Sequence, residues 1–381
     1  MSAGDIEIAD VFRKFADGYL QSCGGLPRPE QRRAVSDILR CMTAAMGGSR
    51  YRCGDCGESF WHYHGCRNRS CPRCHGRQTL EWIRERSVEL LPGDYFHVVT
   101  TIPAELRGIF LAEQEYLYGL LMKVSAEALC ELAGDSRYLG AIPAIMSVLH
   151  TWTGQMLHHP HVHMLVSGVG TAADGSSWRK VRNNFLVPVK KLSPLVARRF
   201  RETLSKERPG LFAQIAPVVW RRQWCSFCRH LGEGRGAVMR YLGRYVYRVA
   251  ITRNRIVAMD DSHVTLRHKD NDTGQWKTCR VGGVEFVRRF LLHVLPKGFH
   301  KVRYFGLWHS SKRRLLNRMR VHLLLSAKPE VTPVLETMAA LAAEAFPGAD
   351  SQAFVPKCPR CGGLNVRLVE QCRRGELSRS A

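Results

Sequence analysis

The stretch His159-Pro160-His161-Val162-His163, followed by Met164-Leu165-Val166-Ser167-Gly168, decides how the chain can fold. Proline is tolerated at the first position of a strand, and the residues after it are rich in strand formers. Side chains alternate between the two faces of a strand, so His161 and His163 share a face while Val162 points into the core. Two imidazoles roughly 6 to 7 Å apart along one face can bind a metal ion. They could equally be ordinary histidines on a solvated face.

The segments around this strand predict an α+β fold. Pro92-Gly93 is the predicted boundary after an N-terminal module. A strand at 95–101 and a long helix at 104–132 come next, and a strand at 145–152 precedes the histidine strand. Only about eight residues separate those two strands, which predicts an antiparallel hairpin. The order strand, helix, strand, strand indicates a sheet with helices packed on one face.

Further segments are predicted from the same periodicities. They are helices at 28–46, 192–207, 237–246, 284–295 and 332–346, strands at 178–187, 220–227 and 302–305, and a hairpin at 255–281. The pair Cys225-x-x-Cys228 falls at the end of one predicted strand, which favours a strand terminus over a metal knuckle.

The charge of the chain predicts a polyanionic partner. Among 381 residues, 57 are Lys or Arg and 33 are Asp or Glu, which gives a net charge of +24. Basic side chains neutralise phosphates and release counterions, so such a field suits nucleic acid. A membrane surface would also attract it, but the sequence has neither an uninterrupted apolar run of membrane-spanning length nor an opening signal peptide. We therefore expect DNA or RNA as partner, no membrane, and a cytoplasmic location.

Two Cys-x-x-Cys pairs predict a structural zinc site. They are Cys53 with Cys56 and, after fourteen residues, Cys71 with Cys74. Each pair presents two sulfurs from a tight turn, and two such pairs complete the tetrahedron that Zn²⁺ prefers. With 14 cysteines and no export signal, metal is favoured over disulfides.

Other cysteines leave the ligand set open. Cys66 or His64 could replace one of the four ligands or help to bind a second ion. Near the C-terminus, Cys358-x-x-Cys361 is half of a zinc ribbon, and Cys372 alone follows it. Metal binding by these three cysteines stays open at this stage.

Arginines beside the cysteine pairs predict a DNA contact. Arg67 and Arg69 lie between the pairs, and Arg77 lies on the segment that follows them. A zinc module that displays arginines next to a helix can bind phosphates, although zinc modules also mediate protein contacts.

A tyrosine pair supplies candidate nucleophiles. Tyr241 and Tyr245 are four residues apart in a predicted helix, so they share one face. Arg244 and Arg248 repeat at the same spacing on the adjacent face. A metal ion on the histidine strand can orient and polarise a phosphodiester, and a phenol can then attack the phosphorus. Histidine strand and tyrosine pair together predict covalent catalysis on DNA.

These motifs resemble the two-tyrosine branch of the HUH single-strand nucleases. The zinc module is similar to that of rolling-circle insertion-sequence transposases of the IS-ninety-one type. The phrases that carry the resemblance are Tyr51-Arg52-Cys53-x-x-Cys56-Gly57, Cys66-Arg67-Asn68-Arg69-x-Cys71-Pro72-x-Cys74, Gln155-x-x-x-His159-Pro160-His161-Val162-His163 and Tyr241-Leu242-Gly243-Arg244-Tyr245. The resemblance runs over residues 30–310 and implies a ferredoxin-like catalytic sheet, a divalent ion on the histidine pair, and DNA movement through single-stranded intermediates.

The resemblance also implies a third ligand from outside the histidine pair. Gln155 is the candidate, because an amide oxygen near the hairpin turn could reach the ion. His159 and His150 are alternatives, and Gln155 could also be a buried polar residue. The expected ion is Mg²⁺ or Mn²⁺, in addition to Zn²⁺ in the cysteine site.

The sequence thus predicts three regions and one function. Residues 1–91 form the N-terminal helical and zinc-binding region that contacts DNA, 92–310 the nuclease, and 311–381 a basic and helical tail. The predicted function is a transposase that nicks and rejoins single-stranded DNA, at element ends and target, through 5′-phosphotyrosine intermediates. A replication initiator or relaxase of the same chemistry, or a non-catalytic zinc protein that binds DNA, are the alternatives.

Overall fold

The fold was analysed in a computed structural model that describes residues 6–22, 27–74, 90–172, 175, 177–233, 238, 241, 249–270, 273–326 and 356–376. The helices of these residues are α1 (Ile8–Ser22), α2 (Pro29–Arg40), α3 (Arg107–Ala112), α4 (Gln114–Gly134), α5 (Val189–Glu207), α6 (Pro209–Ala213), α7 (Gly283–Leu292) and α8 (Arg313–Ser326). The strands are β1 (Gly48–Cys53), β2 (Ser59–Tyr63), β3 (Asp94–Thr101), β4 (Ile142–Trp152), β5 (His158–Thr171), β6 (Trp178–Lys180), β7 (Cys225–Glu233), β8 (Ile256–Met259), β9 (His263–Lys269), β10 (Trp276–Gly282), β11 (Val302–Gly306) and β12 (Val366–Cys372).

A six-stranded antiparallel sheet carries the fold. Its strand order is β11-β4-β5-β3-β7, and β6 pairs with the outer part of β5. Along the chain, β3, α4, β4, β5, α5 and β7 follow one another, and the first strand lies between the third and the fourth in the sheet. This arrangement is the split βαβ topology of ferredoxin-like folds. The predicted α+β class and ferredoxin-like sheet are therefore confirmed.

The two faces of this sheet carry different residues. Helices α4 and α5 cover one face, where Val98, Val162 and Leu149 are fully or almost fully buried with the apolar sides of both helices. Burying one such side chain contributes about 1.5–3 kcal/mol, so this layer provides much of the core. On the opposite face, Val238 and Tyr241 pack on alternate residues of the same strands. His161 and His163 of β5 lie on this second face.

The N-terminal helices pack against the region after the main sheet. Helix α1 contacts α7, and both contribute to a second hydrophobic core with β8, β9 and β10, which form a small antiparallel sheet. The side chain of Gln31 donates to the carbonyl of Leu291 at 2.8 Å, and Arg28 donates to the carbonyl of Val294 at 3.0 Å. Hydrophobic packing and hydrogen bonds thus cross the predicted boundary at residue 92.

A third sheet joins two segments that are far apart in the sequence. Strand β1 pairs with β2 on one side and with β12 on the other, both antiparallel. The pairing of β1 with β12 was not predicted from the sequence, since more than 300 residues separate the two strands. None of the helices among the described residues is long and apolar enough to cross a membrane.

Several predicted segments have different bounds in the structure. The helix predicted at 104–132 is broken at Glu113, whose φ of −114° and ψ of 49° are not helical. The strand predicted at 178–187 ends at Lys180, because Asn183 and Asn184 adopt left-handed φ values of 53° and 52°. The strand predicted at 220–227 begins only at Cys225, after a 3₁₀ turn at Pro217–Arg221.

Other predictions also differ or lie outside the described residues. Helix α1 was not predicted, and α2 ends at Arg40 rather than at residue 46. Cys225 and Cys228 both lie within β7, as the strand interpretation predicted. The predicted helix at 332–346 falls outside the described residues, and only Val238 and Tyr241 of the one at 237–246 are inside them.

Candidate metal and DNA-processing site

Three imidazoles converge on the second face of the main sheet. They belong to His150 on β4 and to His161 and His163 on β5, and one ring nitrogen of each lies within 4.8 Å of the others. The register explains the convergence, because His150 and His161 face each other across the β4–β5 pair. His150 also stacks on Trp152, with ring centroids 4.7 Å apart. We call these three residues the histidine group.

Hydrogen bonds fix which nitrogen each strand histidine can offer to a metal ion. The Nδ1 of His161 lies 2.7 Å from the carbonyl of His159, and Nδ1 of His163 lies 2.8 Å from Nε2 of His97 on β3. Each Nδ1 is thereby engaged, so Nε2 is the nitrogen with which each ring would coordinate a metal ion. A metal-binding imidazole commonly has its other nitrogen held in this way.

His97 is neutral at physiological pH. Burial, together with the positive charge of Arg229 and with His161, lowers the pKa of His97 to about 4. The neutral ring of His97 can accept, at its Nε2, a hydrogen bond from the Nδ1–H of His163. The sequence analysis missed His97, because a single histidine in a strand of mixed pattern gives no signal until the pairing of β3 with β5 is known.

Gln155 does not join the histidine group. It lies in the turn between β4 and β5, where its Nε2 is 3.2 Å from Nε2 of His268 and its carbonyl accepts from Arg289 at 3.1 Å. The structure therefore does not bring the predicted Gln155 to the histidine pair, and it brings His150, one of the two alternatives, there instead. The other, His159, turns away, and its Nδ1 accepts from Arg107 at 2.8 Å.

Tyr241 lies beside the histidine group. Its ring packs edge-on against His97, with centroids 4.9 Å apart, and its side chain is 2% exposed. Tyr245, Arg244 and Arg248 fall outside the described residues, as does Arg77. The structure thus places Tyr241 on the second face of the sheet. There it contacts His97, which hydrogen-bonds to His163.

The edge strand β7 borders the site with an aromatic and a basic residue. Phe227 is 50% exposed and lies opposite Val99, while Arg229 is exposed and lies opposite His97. The ring of Phe227 is 6.1 Å from that of His97. An exposed aromatic ring next to a guanidinium can stack on a base and pair with a phosphate.

The cysteines form two groups rather than the predicted one. Cys71 and Cys74 lie with Cys41 and Cys66, and we call these four the first cysteine group. The sulfur of Cys74 is 3.5 Å from that of Cys41 and 3.7 Å from that of Cys66. Cys66 was considered as a ligand from the sequence, but Cys41, at the end of α2, was not.

The predicted site of Cys53, Cys56, Cys71 and Cys74 is therefore corrected. Cys53 and Cys56 lie with Cys358 and Cys361, and we call these the second cysteine group. The reason is the pairing of β1 with β12, which brings the C-terminal pair to the end of β1. One sequence signal could have shown it, since a glycine follows both pairs at 57 and 362, whereas His75 follows Cys74.

Two other predicted residues have roles within the protein. The guanidinium of Arg69 donates to the carbonyls of Phe299, Leu295 and Pro296 at 2.7, 2.7 and 2.6 Å, which corrects it from a DNA contact to a link between modules. Arg67 is exposed, and its backbone N–H donates to the sulfur of Cys74 at 3.3 Å. His64 bonds to Ser49 at 3.2 Å and belongs to neither cysteine group.

Comparison with known proteins defines the class. The family model described as "Putative transposase" matches residues 144–315, which contain the histidine group and Tyr241. The model described as "Transposase zinc-binding domain" matches residues 11–102, which contain the first cysteine group and half of the second. No solved structure is significantly similar to the chain.

Two curated relatives place the chain more closely. "Putative transposase y4qJ" of Sinorhizobium fredii (strain NBRC 101917 / NGR234) is 39% identical over 324 residues, which cover 80% of this chain and 81% of the relative. The transposase for insertion sequence element IS801 of Pseudomonas savastanoi pv. phaseolicola is 27% identical over 308 residues, or 76% and 72%. The chain belongs to the IS91-type (IS-ninety-one) family of insertion-sequence transposases. It is thus a DNA-processing enzyme with a zinc-binding domain.

Proposed function

We propose that this transposase nicks and rejoins single-stranded DNA through 5′-phosphotyrosine intermediates during rolling-circle transposition. The observation that carries the proposal is the convergence of three imidazoles on a sheet face that also holds Tyr241. A closed structural metal site would need four protein ligands, whereas three leave room for a phosphate oxygen.

The histidine group would hold a divalent ion. The donor set fits such an ion, because three ring nitrogens converge and hydrogen bonds at Nδ1 hold the rings of His161 and His163 in place. Imidazole suits Mn²⁺ better than Mg²⁺, which prefers oxygen ligands, so we expect manganese to support more activity than magnesium. When bound, the ion would polarise the scissile phosphate.

The tyrosines carry the covalent step. The phenolic oxygen attacks phosphorus, a P–O bond to tyrosine forms, and the bond to the 3′-oxygen of the neighbouring nucleotide breaks to leave a free 3′-hydroxyl. The phosphotyrosine keeps the energy of the cleaved bond, so a 3′-hydroxyl can reverse the reaction on the same or another strand. Arg244 and Arg248 would supply the positive charge that favours the phenolate, whose pKa is otherwise near ~10.

Both tyrosines are proposed as alternating nucleophiles. With one strand held on the first tyrosine, the second can cut the next strand before the first is released. Tyr241 is 2% exposed in this structure, so its hydroxyl would have to become accessible to the scissile phosphate before it could attack. Covalent exchange between two phenols one helical turn apart suits strand transfer between element end and target.

The DNA strand would run along the exposed edge of the sheet. Phe227 and Arg229 lie within reach of the histidine group through His97, and they offer a stacking ring and a phosphate contact. Base stacking on aromatic rings needs unpaired bases, which favours single-stranded over double-stranded DNA. Arg67 and Arg77 would hold phosphates farther along, and the net charge of +24 supports binding to both element ends and target in the cytoplasm.

Tyrosine-to-phenylalanine variants test the proposal. Purified protein is incubated with single-stranded DNA of the element ends and Mn²⁺, and covalent adducts are resolved on a denaturing gel. We expect Tyr241→Phe and Tyr245→Phe each to form an adduct at a reduced rate, and the double variant to form none. Phenylalanine keeps the ring, so packing beside His97 is preserved.

The matched control is Tyr138→Phe, because the ring of Tyr138 packs on that of Phe185 and Tyr138 is not a member of the histidine group. It should form adducts at the rate of the parent protein. Adducts in the double variant would refute the phosphotyrosine step. Loss of every adduct in one single variant, with normal strand transfer in the other, would refute alternation and leave a single nucleophile.

A further inference from the structure

We infer that the second cysteine group is a separate structural zinc site, which joins the N-terminal module and the C-terminal segment in one zinc ribbon. Its ligands would be Cys53 and Cys56 from the N-terminal module and Cys358 and Cys361 from the C-terminal segment. The matched zinc-binding family model ends at residue 102, so it accounts for only half of these ligands. The inference concerns the architecture of the chain and is independent of the proposed strand transfer.

The distances between sulfurs fit a tetrahedral zinc ion. The sulfur of Cys53 lies 3.6 Å from that of Cys361, and the sulfur of Cys56 lies 3.5 Å from that of Cys358. A disulfide would bring two sulfurs to about 2.05 Å. Zn–S bonds of about 2.3 Å in a tetrahedron place neighbouring sulfurs about 3.8 Å apart. The separations therefore match the edges of a four-thiolate zinc site and exclude disulfide pairing.

The backbone forms the same turn at both cysteine pairs. The N–H of Gly57 donates to the carbonyl of Cys53 at 3.1 Å, and that of Gly362 donates to the carbonyl of Cys358 at 2.9 Å. Both glycines adopt a left-handed φ, 74° and 72°, which other residues rarely adopt. Two matching turns face each other, and each presents two sulfurs to the same point.

Polar contacts align the two turns. The N–H of Gly54 donates to the carbonyl of Asn365 at 2.7 Å, and the side chain of Asn365 donates to Asp55 at 2.9 Å. Strand β12 then continues along β1 as far as Cys372 opposite Gly48. The geometry of the sulfurs is thus part of a paired sheet rather than a chance approach of side chains.

Apolar packing contributes little to holding this segment, which pairs with β1 through its backbone. Along β12, Leu368 and Val369 are 54% and 49% exposed. Residues 356–376 contribute to none of the hydrophobic clusters among the described residues. Modules without a hydrophobic core commonly fold only when their metal is bound. We therefore expect the C-terminal segment to stay docked only while zinc is present. Four thiolates leave no open position, so the role of this ion is structural.

Zinc counting in cysteine variants tests the inference. All measurements use the full chain in a His163→Ala background, so that the histidine group contributes no tightly bound ion. Two cysteine groups predict two zinc ions in the parent. Cys358→Ser and Cys53→Ser should each lose one ion, and their combination should lose no more than either alone. Cys53→Ser combined with Cys71→Ser should lose both ions.

The matched control is Cys372→Ser, since Cys372 lies on the same strand but in neither cysteine group. It should keep both ions, and its C-terminal segment should resist protease as in the parent, whereas Cys358→Ser should be cut there faster. Full zinc content in Cys358→Ser would overturn the inference. So would loss of the same single ion by Cys53→Ser, Cys71→Ser and their combination, which would indicate one site shared by both N-terminal pairs.

A ligand exchange covers the case in which a serine variant fails to fold. Histidine is also a zinc ligand, and Cys361 is exposed, so Cys361→His can keep the ion. In protein loaded with Co²⁺, this variant should change the absorption of one ion from that of four thiolates to that of three thiolates and one imidazole. Cys372→His should leave the spectrum unchanged. An unchanged spectrum in Cys361→His would also overturn the inference.

Discussion

The histidine group and the two cysteine groups are built in opposite ways. The three histidines extend from two neighbouring strands in the middle of one sheet, and their positions follow from the pairing of β4 with β5. The cysteines of each group come from segments that are separate in the sequence, and each group has four thiols. Three ligands on a rigid support leave an ion accessible, whereas four ligands from separate segments enclose it.

The fold depends on the ions of the cysteine groups more than on that of the histidine group. The sheet under the histidine group is held by helices α4 and α5 and by its own ladders, so it does not need a metal ion to form. The second cysteine group joins segments that share little apolar surface, whereas Cys41 and Cys71 of the first group are buried in the second hydrophobic core. Removal of metal should therefore stop the chemistry at the first site and loosen the structure at the others.

Substitution of a histidine in the histidine group should cause the greatest loss of adduct formation. His163→Ala should reduce adduct formation by more than about 100-fold, because even residues that only support a metal ligand are worth about 10- to 100-fold. Zinc content and protease resistance should not change. Adduct yield, elemental analysis and limited proteolysis measure the three quantities.

His300→Ala is the control for this variant, since His300 is exposed and lies outside the histidine group. It should behave as the parent does. If His163→Ala still forms adducts at the parent rate in the presence of a chelator, the histidine group does not hold an ion needed for cleavage.

A smaller effect on adduct formation is expected from substitution of His97, which bonds to a member of the histidine group. His97→Leu removes the partner of His163 Nδ1, so the concentration of Mn²⁺ needed for half-maximal adduct formation should rise about 10- to 100-fold. His97→Gln can still accept this hydrogen bond and should recover most of the loss. The maximal rate at saturating Mn²⁺ should change less than the metal requirement.

A purely structural role for His97 would give a different result. In that case, both variants would lower thermal stability together, and saturating Mn²⁺ would not restore the rate. A manganese titration in parallel with thermal unfolding separates the two roles.

The smallest effect is on the pH dependence of stability and comes from His293, a buried histidine outside the histidine group. Burial lowers the pKa of His293 to about 3, so the folded protein stays unprotonated there while the unfolded chain takes up a proton below its ordinary pKa of 6.5. Stability from this residue is therefore complete above pH 6.5 and falls as the pH drops toward 3. The loss should reach about 2 kcal/mol at pH 5.

His293→Asn removes the titration and keeps a polar side chain near Thr151, to which His293 bonds at 3.0 Å. The variant should be less stable than the parent at pH 7.5, yet lose less stability on acidification. Urea unfolding followed by tryptophan fluorescence at several pH values measures the slope. His300→Asn should keep the parent slope, and an equal slope in His293→Asn would contradict the assignment.

The sequence was sufficient for features that depend on neighbouring residues. Alternation along one strand puts His161 and His163 on the same face, and hydrophobic periodicity predicts the elements of the ferredoxin-like sheet. Choosing between Gln155 and His150 required more, because cross-strand register depends on the length and shape of the turn that joins β4 and β5. His150 faces His161 only in the observed register.

Features that depend on distant pairing could not be derived from local patterns. Any second Cys-x-x-Cys pair could complete a four-thiolate site with Cys53 and Cys56. The pair nearest in the sequence is Cys71 with Cys74. The choice of Cys358 and Cys361 rests on the pairing of β12 with β1, which no periodicity encodes. Arg69 was misread for the same reason, since its carbonyl partners at 295–299 become neighbours only after folding.

The pairing of β1 with β12 has a consequence for the order in which the protein matures. During synthesis, the thiols of Cys53 and Cys56 leave the ribosome about 300 residues before their partners, at 5 to 20 residues per second. The central sheet can form during that interval, because its strands lie between the two pairs. A chain cut short before Cys358 would then keep its sheet but carry two thiols with no partners. Zinc binding by the second cysteine group would thus occur only in chains that extend beyond Cys361.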